Sequence, residues 1–589
     1  MFTPGTFILG HDPLHFSPPH PAAAPPDPQG MTEYRPENPL IVQGDQSVLA
    51  EVGSPRFTEA RDRIAPFAEL VKSPEHVHTY RITPLSVWNA CAAGTTPDQI
   101  VGALREYAKY PVPAVVEAQI RDAATRFGRL RLLRRPDGLV LAADQPELAE
   151  LVARIRGVAP HLGERLSPTA FHVPPAERGR LKQALVKAGW PPEDLAGYSA
   201  GEPLPIALRE VTLAGEPFAL RAYQQSAAGA FHAGGSERGG SGVVVLPCGA
   251  GKTVVGMECM ARVGSSTLVL TTSVTAVRQW IGELLDKTTL HPDQVGEYTG
   301  QAKDIRPVTI ATYQVLTHRE RADAGFRHLE LFDRRDWGLI VYDEVHLLPA
   351  PVFQVTAALQ ARRRLGLTAT LVREDGREDD VFALIGPKKA DVPWKELEGQ
   401  GWIAKARCTE VRVPLPRELR MPYAVAEARE KFRLASENPD KLEVVRKILA
   451  RHPGEPALVI GMYVEQVEWM ARQLDVPVLT GTTGQRRRDA LYRDFREGRI
   501  PVLAVSKVAN FAVDLPDAAV AVQVSGTFGS RQEEAQRLGR ILRPKRGANQ
   551  AHFYTLVSRD TTEQEFALKR QLFLCEQGYA YRIADPREI

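Results

Sequence analysis

The sequence predicts an α/β protein: two successive parallel-sheet domains covered by helices, preceded by a small helical, winged-helix-like unit and a small α+β unit. Three observations predict it. Between about 241 and 370, short apolar runs ("GVVVLP", "STLVLTT", "VTIATY", "GLIVYDE", "RRLGLTAT") alternate with helical segments. Unbroken apolar strands are buried on both faces, as parallel strands under helices are. From about 455 a second series follows, "PALVIGMY", "VPVLTG", "IPVLAVS", "VAVQVS" and "AHFYTLV". Upstream of about 216 the order differs, with helices, then a hairpin, then short mixed segments. Two tandem domains of similar size leave a cleft between them, and no short repeat period suggests a solenoid.

At roughly 150 residues per domain, 589 residues correspond to about four domains. The chain is 43% hydrophobic and 25% charged, an ordinary globular balance. A net charge of +3 means that any nucleic-acid surface is local. Cys91, Cys248, Cys259, Cys408 and Cys575 are scattered, with no close CxxC pair. That argues against a zinc site or a disulfide framework, and for reduced thiols in a cytoplasm. No apolar run reaches membrane-spanning length. The first thirty residues lack the basic and apolar regions of a signal peptide. Their proline density prevents regular hydrogen bonding, so residues 1–60 are expected to be a disordered leader and linker. Composition turns ordinary after Gly30; Met31 is expected to serve as a start, with residues 1–30 dispensable.

Residues 61–147 read as the first ordered unit. "TPLSVWNACAAG" and "TPDQIVGALREYAKY" each open with a Thr N-cap and a first-turn proline. A third helix runs through "PAVVEAQIRDAATRFG", and "RLRLLRRPDGLVLAAD" gives two strands around Pro136-Asp137-Gly138. Three helices and a hairpin are the order of a winged-helix module, and equally of a small α+β adaptor. Residues 148–215 form a second α+β unit, with amphipathic helices in "QPELAELVARIRG" and "PAERGRLKQALVKAGW" and a boundary at Pro203-Leu204-Pro205.

The first α/β domain, residues 216–395, carries "LPCGAGKT" between a strand and a helix. In the turn made by Pro247, Cys248, Gly249, Ala250 and Gly251, the backbone amides after the proline can surround phosphate oxygens, and the helix N-terminus adds its positive end. Lys252 can reach β- and γ-phosphates, and the Thr253 hydroxyl suits magnesium. Leu246 stands where the strict phosphate-loop pattern has its first glycine. "WGLIVYDEVH" places Asp343 and Glu344 at a strand end, where Asp343 can hold magnesium and Glu344 can polarise water. Alone, such a pair is a solvated acidic turn; the phosphate turn about ninety residues upstream argues otherwise. His346 beside it can equally be a packed side chain. In the second domain, residues 396–589, "SRQEEAQRLGRILRPK" sets Gln536, Arg537, Arg540 and Arg543 at helical spacing. Such a run is ordinarily a solvated basic face, or it supplies arginine fingers across the cleft, making hydrolysis depend on domain closure.

These residues resemble the superfamily 2 helicases, and within them the xeroderma pigmentosum group B (XPB) helicases, over about 75–585. "GVVVLPCGAGKT", "LVLTTSVTAVRQW", "YDEVH", "LGLTATLVREDG", "LAVSKVANFAVDLPDA" and "SRQEEAQRLGRILRPK" look like motifs I, Ia, II, III, V and VI. The resemblance implies two RecA-like domains binding ATP and Mg2+ between them, with DNA (single-stranded, forked or duplex) crossing both and three-prime to five-prime unwinding in repair. It implies phosphate and magnesium contacts from Gly249, Gly251, Lys252 and Thr253, catalytic carboxylates Asp343 and Glu344, and nucleotide contacts from Gln536, Arg540 and Arg543. Gln224 lies where related helicases contact adenine. It also implies a damage-recognition-like domain at 148–215, a short thumb-like insertion near 415–440, a structure-specific nuclease partner and a bacterial-type member acting as a monomer. Eukaryotic members carry Gly-Asp where this chain has Ala509-Asn510; Asp514 is kept.

Thr271, Thr272, Arg278 and Thr312 fall at strand ends or loops where DNA phosphates could be held, or where helix caps sit. Thr368 and Thr370 belong to the segment linking hydrolysis to DNA. Arg373-Glu374-Asp375 follows it, either as a solvated loop or, as the resemblance implies, as a strand-separating element. A duplex translocase without processive unwinding and an ATP-gated DNA-binding scaffold are the competing readings.

Overall fold

A computed structural model describes residues 34–72, 76–136, 138–247, 249–318, 327–349, 352, 356, 362–369, 378–392, 394–506, 518–526, 550–576, 579 and 581–589. The proline-rich leader and Met31 lie outside these residues.

Residues 34–60, expected as linker, are built into the fold. β1 (Leu40–Val42) and β2 (Ser47–Glu51) join β3 (Glu69–Lys72) and β4 (Val77–Arg81) in an antiparallel sheet of order β1-β2-β4-β3. The cause is visible in "PLIVQGDQSVLAEV": Asp45 accepts from the backbone N–H and hydroxyl of Ser47, turning the chain between two apolar runs. Leu40, Val48 and Ala50 are fully buried there. α1 (Phe57–Ile64), α2 (Pro84–Ala92), α3 (Pro97–Tyr107) and α4 (Ala114–Arg126) pack on this sheet. Thr83 and Thr96 cap α2 and α3 with prolines at the first helical turn, as their sequence predicts.

The hairpin expected to complete the winged-helix-like order pairs elsewhere. The hairpin β5 (Leu130–Arg135) and β6 (Gly138–Ala143) does not belong to these helices. It forms a five-stranded sheet, β7-β8-β6-β5-β9, with β7 (Arg165–Ser167), β8 (Ala170–Val173) and β9 (Glu193–Leu195). Its leucines Leu130, Leu132, Leu139 and Leu141 share a core with Leu148 and Val152 of α5 (Pro146–Arg154) and Leu181 and Leu185 of α6 (Arg178–Lys187). Apolar matching places the hairpin with the chain after it, so the division falls near 128 rather than 147.

This second unit is clasped to the first α/β domain by buried charge. Burial pushes Lys182 down to about 8. Although burial opposes its charge, Lys182 at 3.0 Å and Arg178 at 2.6 Å hold Asp194 below the usual carboxylate range. Tyr198 lies under the guanidinium groups of Arg178, Arg363 and Arg364. Residues expected to close this unit, Leu204 and Ile206, are instead in the core of the α/β domain.

That domain is a seven-stranded, wholly parallel sheet of order β12-β13-β11-β14-β15-β10-β16. Its strands are β10 (Ser241–Val245), β11 (Thr267–Thr271), β12 (Val295–Tyr298), β13 (Val308–Thr312), β14 (Leu339–Asp343), β15 (Arg363–Thr368) and β16 (Lys388–Asp391). Helices α7 (Ala222–His232), α8 (Lys252–Val263), α9 (Val274–Lys287), α10 (Tyr313–Leu316) and α11 (Glu378–Leu384) accompany it. After α12 (Trp394–Gly399) comes a second parallel sheet, β19-β20-β18-β21-β22-β17-β23. It contains β17 (Lys405–Val413), β18 (Ala457–Gly461), β19 (Val478–Leu479), β20 (Val502–Ser506), β21 (Val520–Gln523), β22 (Gln550–Ser558) and β23 (Tyr581–Ala584). Counted within each domain, both sheets read 3-4-2-5-6-1-7, so one topology occurs twice.

In the second domain, α13 (Arg417–Val425) and α14 (Ala428–Ser436) fall at the expected insertion, and α14 packs on β22 with Phe432 and Ala435 buried. Met421 and Val425 on α13 are 72% and 79% exposed. α15 (Lys441–Arg451), α16 (Val464–Leu474), α17 (Gln485–Arg496) and α18 (Thr562–Glu576) complete it. The N-terminal unit touches both α/β domains. Trp88 meets Phe382 at 6.3 Å and the Lys388 N–H donates to Asn89 Oδ1, while α18 packs on β3 and Tyr581 on the unit's core. Among the described residues, no helix is long and apolar enough to cross a membrane.

Candidate functional site

β10 delivers the chain to a turn whose glycines are conformationally required. Gly249 and Gly251 sit at φ 80° and 79°, in the left-handed region. A Cβ on Gly251 would lie 2.5 Å from Gln224 Nε2. From α7, the Tyr223 hydroxyl and Gln224 Nε2 both donate to the Ala250 carbonyl, at 2.7 and 3.0 Å. Gln224 Oε1 accepts the Arg221 N–H, and the side chain is only 4% exposed. In this conformation Gln224 braces the turn. Arg221 stacks over Trp402, 4.3 Å from the ring centroid, beside the passage from first to second domain.

Lys252 and Thr253 open α8 directly after the turn. At the end of β14, two strands from β10 across β15, stand Asp343 and Glu344. Lys252 Nζ lies 3.3 Å from Glu344 Oε1. The Asp343 carboxylate receives the Trp280 indole N–H at 2.9 Å and the Thr271 hydroxyl at 3.4 Å on Oδ2, and the Glu344 N–H on Oδ1. Tyr313 fixes the Asp343 carbonyl at 3.0 Å. Burial, and then the charge of Glu344, push Asp343 up to about 6. Burial also opposes ionisation of Glu344, but Lys252 and His346 hold it below the ordinary range. His346 Nδ1 lies 3.6 Å from Glu344 and 2.7 Å from Thr368 Oγ1, which ties the end of β14 to the end of β15.

The donor set suits a hard divalent cation. A hydroxyl on the first helical turn and a carboxylate with a raised pKa supply oxygens, and a nearby cation offsets the cost of burying that carboxylate. Lys252 places a positive charge beside Glu344 at the foot of the turn.

The fold thus unites Pro247, Gly249, Ala250, Gly251, Lys252, Thr253, Asp343 and Glu344, and links Thr368 through His346. Thr272 ends up beside this edge, its carbonyl accepting from Gln314 Nε2 at 2.5 Å. Arg278 is exposed and turned to Gln301 and Glu297. Cys248, Thr370, Arg373, Glu374, Asp375, Gln536, Arg537, Arg540 and Arg543 lie outside the described residues, as do Ala509, Asn510 and Asp514. The point from which the 527–549 segment departs is described. Lys441 Nζ and Glu563 Oε2, both wholly buried, are 2.8 Å apart. Lys441 also donates to the carbonyls of Ser436 and Val524, and the Ser525 hydroxyl donates to Gln466 Oε1. Sequence reading missed Trp280, Tyr223, Tyr313 and Lys441. The signal available was "VRQW", an aromatic on the apolar face of the helix that leaves β11.

A doubled parallel fold, with a phosphate turn after one strand and an Asp-Glu pair after its neighbour but one, defines a nucleotide-driven enzyme of the superfamily 2 helicase class. Family models match three stretches: type III restriction enzyme, res subunit, over 217–373; ERCC3/RAD25/XPB C-terminal helicase over 397–588; and helicase conserved C-terminal domain over 40–167. The chain is 56% identical to a DNA 3'-5' helicase XPB of Kineococcus radiotolerans, covering 94% of this chain and 97% of that one. It is 55% identical to the DNA 3'-5' helicase XPB of Mycobacterium tuberculosis over 94% and 99% of the two chains. The "General transcription and DNA repair factor IIH helicase/translocase subunit XPB/SSL2" of Saccharomyces cerevisiae is 30% identical over 92% of this chain and 71% of its own. The chain belongs to the XPB family, as a bacterial-type member.

Proposed function

We infer that this chain is a DNA-dependent ATPase and three-prime to five-prime DNA helicase of the XPB type, opening DNA in repair. The observation that carries it is likeness over almost the whole chain to XPB helicases, with Lys252, Asp343 and Glu344 gathered at the carboxyl ends of β10 and β14. In this reading Gly249, Ala250 and Gly251 present backbone amides to the ATP phosphates and Lys252 neutralises them. Pro247 and Cys248 join these residues in binding the nucleotide, and Gln224 sits nearest the base. Thr253 and Asp343 hold magnesium, which supplies charge neutralisation when bound. Glu344, kept ionised by Lys252, orients the attacking water and receives its proton. Gln536, Arg540 and Arg543 complete the site from the second domain. Thr272, Arg278, Thr368 and Thr370 pass its state to DNA, and Arg373, Glu374 and Asp375 act at the strand junction. The protein works as a monomer in the cytoplasm, with a structure-specific nuclease as the partner suggested by the family.

A duplex translocase is the second reading, favoured by the word "translocase" in the names of the eukaryotic relatives. ATP hydrolysis measured without DNA and with single-stranded, duplex and forked DNA, beside strand- and triplex-displacement, decides between them. Fork-stimulated hydrolysis with strand displacement is expected. Triplex displacement alone would favour translocation, and hydrolysis indifferent to DNA would overturn both.

A further inference from the structure

Trp280 lies on α9, two residues after Arg278, and is 2% exposed. Its indole N–H donates to Asp343 Oδ2 at 2.9 Å. Its ring lies across Gly256 of α8, where a Cβ would stand 2.6 Å from ring atom Cη2. One side chain therefore joins the helix that carries Arg278, the helix that carries Lys252 and Thr253, and the carboxylate at the end of β14. The chemistry of the contact is selective. An indole is a donor only, carries no charge and does not bind metal. It can orient a carboxylate without neutralising it or competing for the cation, as a lysine or arginine would.

We propose that Trp280 is a positioning residue that couples α9 to Asp343, so that engagement of α9 by DNA sets how the carboxylate is presented to magnesium. Hydrogen bonds weaken steeply with misalignment, so a small shift of α9 changes the 2.9 Å contact. The proposal rests on the proposed roles of Asp343 as a magnesium ligand and of Arg278 on α9 as a DNA contact.

The test is magnesium affinity, measured by calorimetry with a non-hydrolysable ATP analogue, beside ATP hydrolysis, for the full chain and for Trp280→Phe, Trp280→Ala, Gly256→Ala and Asp343→Asn variants, with and without duplex DNA. Phenylalanine keeps the apolar ring and removes the N–H. Trp280→Phe is expected to lose about tenfold in DNA-stimulated kcat. KM for ATP is expected to hold within about twofold, the magnesium affinity to fall, and the ratio of stimulated to DNA-free rate to collapse. Gly256→Ala keeps the N–H but displaces the ring, and should move the same quantities in the same direction. If Trp280 only filled space, Trp280→Phe would restore what Trp280→Ala loses. That rescue, or equal loss of both rates in Trp280→Phe, overturns the proposal. Parental hydrolysis in Asp343→Asn would remove the metal reading itself, whereas loss there beside a parental Trp280→Phe removes only the coupling.

Discussion

Replacing Lys441 by Met probes the charge sealed beneath the second sheet. The ammonium lies 2.8 and 3.0 Å from the two oxygens of Glu563, and both side chains are 0% exposed. It also donates to the carbonyls of Ser436 and Val524 at 3.1 and 2.9 Å. Methionine keeps the stem and removes every donor. Glu563 then retains the Ser558 N–H at 2.8 Å, and Ser436 retains the Gln466 amide at 2.7 Å. Breaking a buried pair from one side costs about 3–5 kcal/mol, whereas removing both charges is often near neutral. Lys441→Met/Glu563→Leu should therefore be more stable than Lys441→Met by about 3 kcal/mol, a gap well above the scatter of about 0.5 kcal/mol between independent sites. A chain of several units does not unfold in one step, so the assay is native-state hydrogen exchange at the amides of β18 and β21. A single-variant cost below about 1 kcal/mol, or a double variant equal to the sum of the singles, would refute the reasoning.

Lys252→Ala is expected to abolish ATP hydrolysis while leaving the fold and most DNA affinity in place; near-parental turnover in a DNA-stimulated assay would defeat the phosphate-turn assignment. Gly251→Ala must adopt a left-handed backbone costing about 1–2 kcal/mol and displace Gln224; nucleotide affinity should fall about tenfold by titration, and parental affinity would mean the turn does not serve phosphate. His78, buried beside Arg61, is pushed down to about 4 from 6.5. A depressed folded pKa means this stability is intact above pH 6.5 and lost as pH falls towards 4. After discounting for partial exposure, about 2–3 kcal/mol is at stake in the N-terminal unit. Exchange at β2 and β4 from about pH 7 to about pH 4 should report the loss, and His78→Phe should flatten it. Alanine at Arg373, Glu374 and Asp375 together should impair fork unwinding far more than DNA-stimulated hydrolysis, both measured at one salt concentration; parallel loss would assign the triplet to the ATP site instead.

The central strands of both sheets were legible because parallel strands under helices are apolar on both faces; "VVV", "LVL" and "LVI" leave little choice. The strands not foreseen are those without that burden. β16 is Lys-Lys-Ala-Asp at a sheet edge, β12 and β23 are four-residue edges, and β17 alternates charged and apolar residues. The phosphate turn and the Asp-Glu pair were legible because their chemistry is local in sequence. Trp280 and Lys441 were not, since a tryptophan on an apolar helix face and a lysine after a turn acquire their partners 63 and 122 residues away. The hairpin was correctly found and wrongly assigned, because strand pairing is specified by apolar faces that lie further along the chain.

The N-terminal unit rests on both α/β domains, and those domains are joined to each other through the passage at Trp402. Three bodies in mutual contact make a triangle, and a triangle, unlike an open chain, has no hinge. A rotation of one domain against the other would load one of its sides. If the side made by Trp88 and Asn89 gives way, the unit travels with the second domain. If the side made by α18 and Tyr581 gives way, it travels with the phosphate turn. In either case the contacts that seat the N-terminal unit are the ones a relative rotation of the two α/β domains would strain.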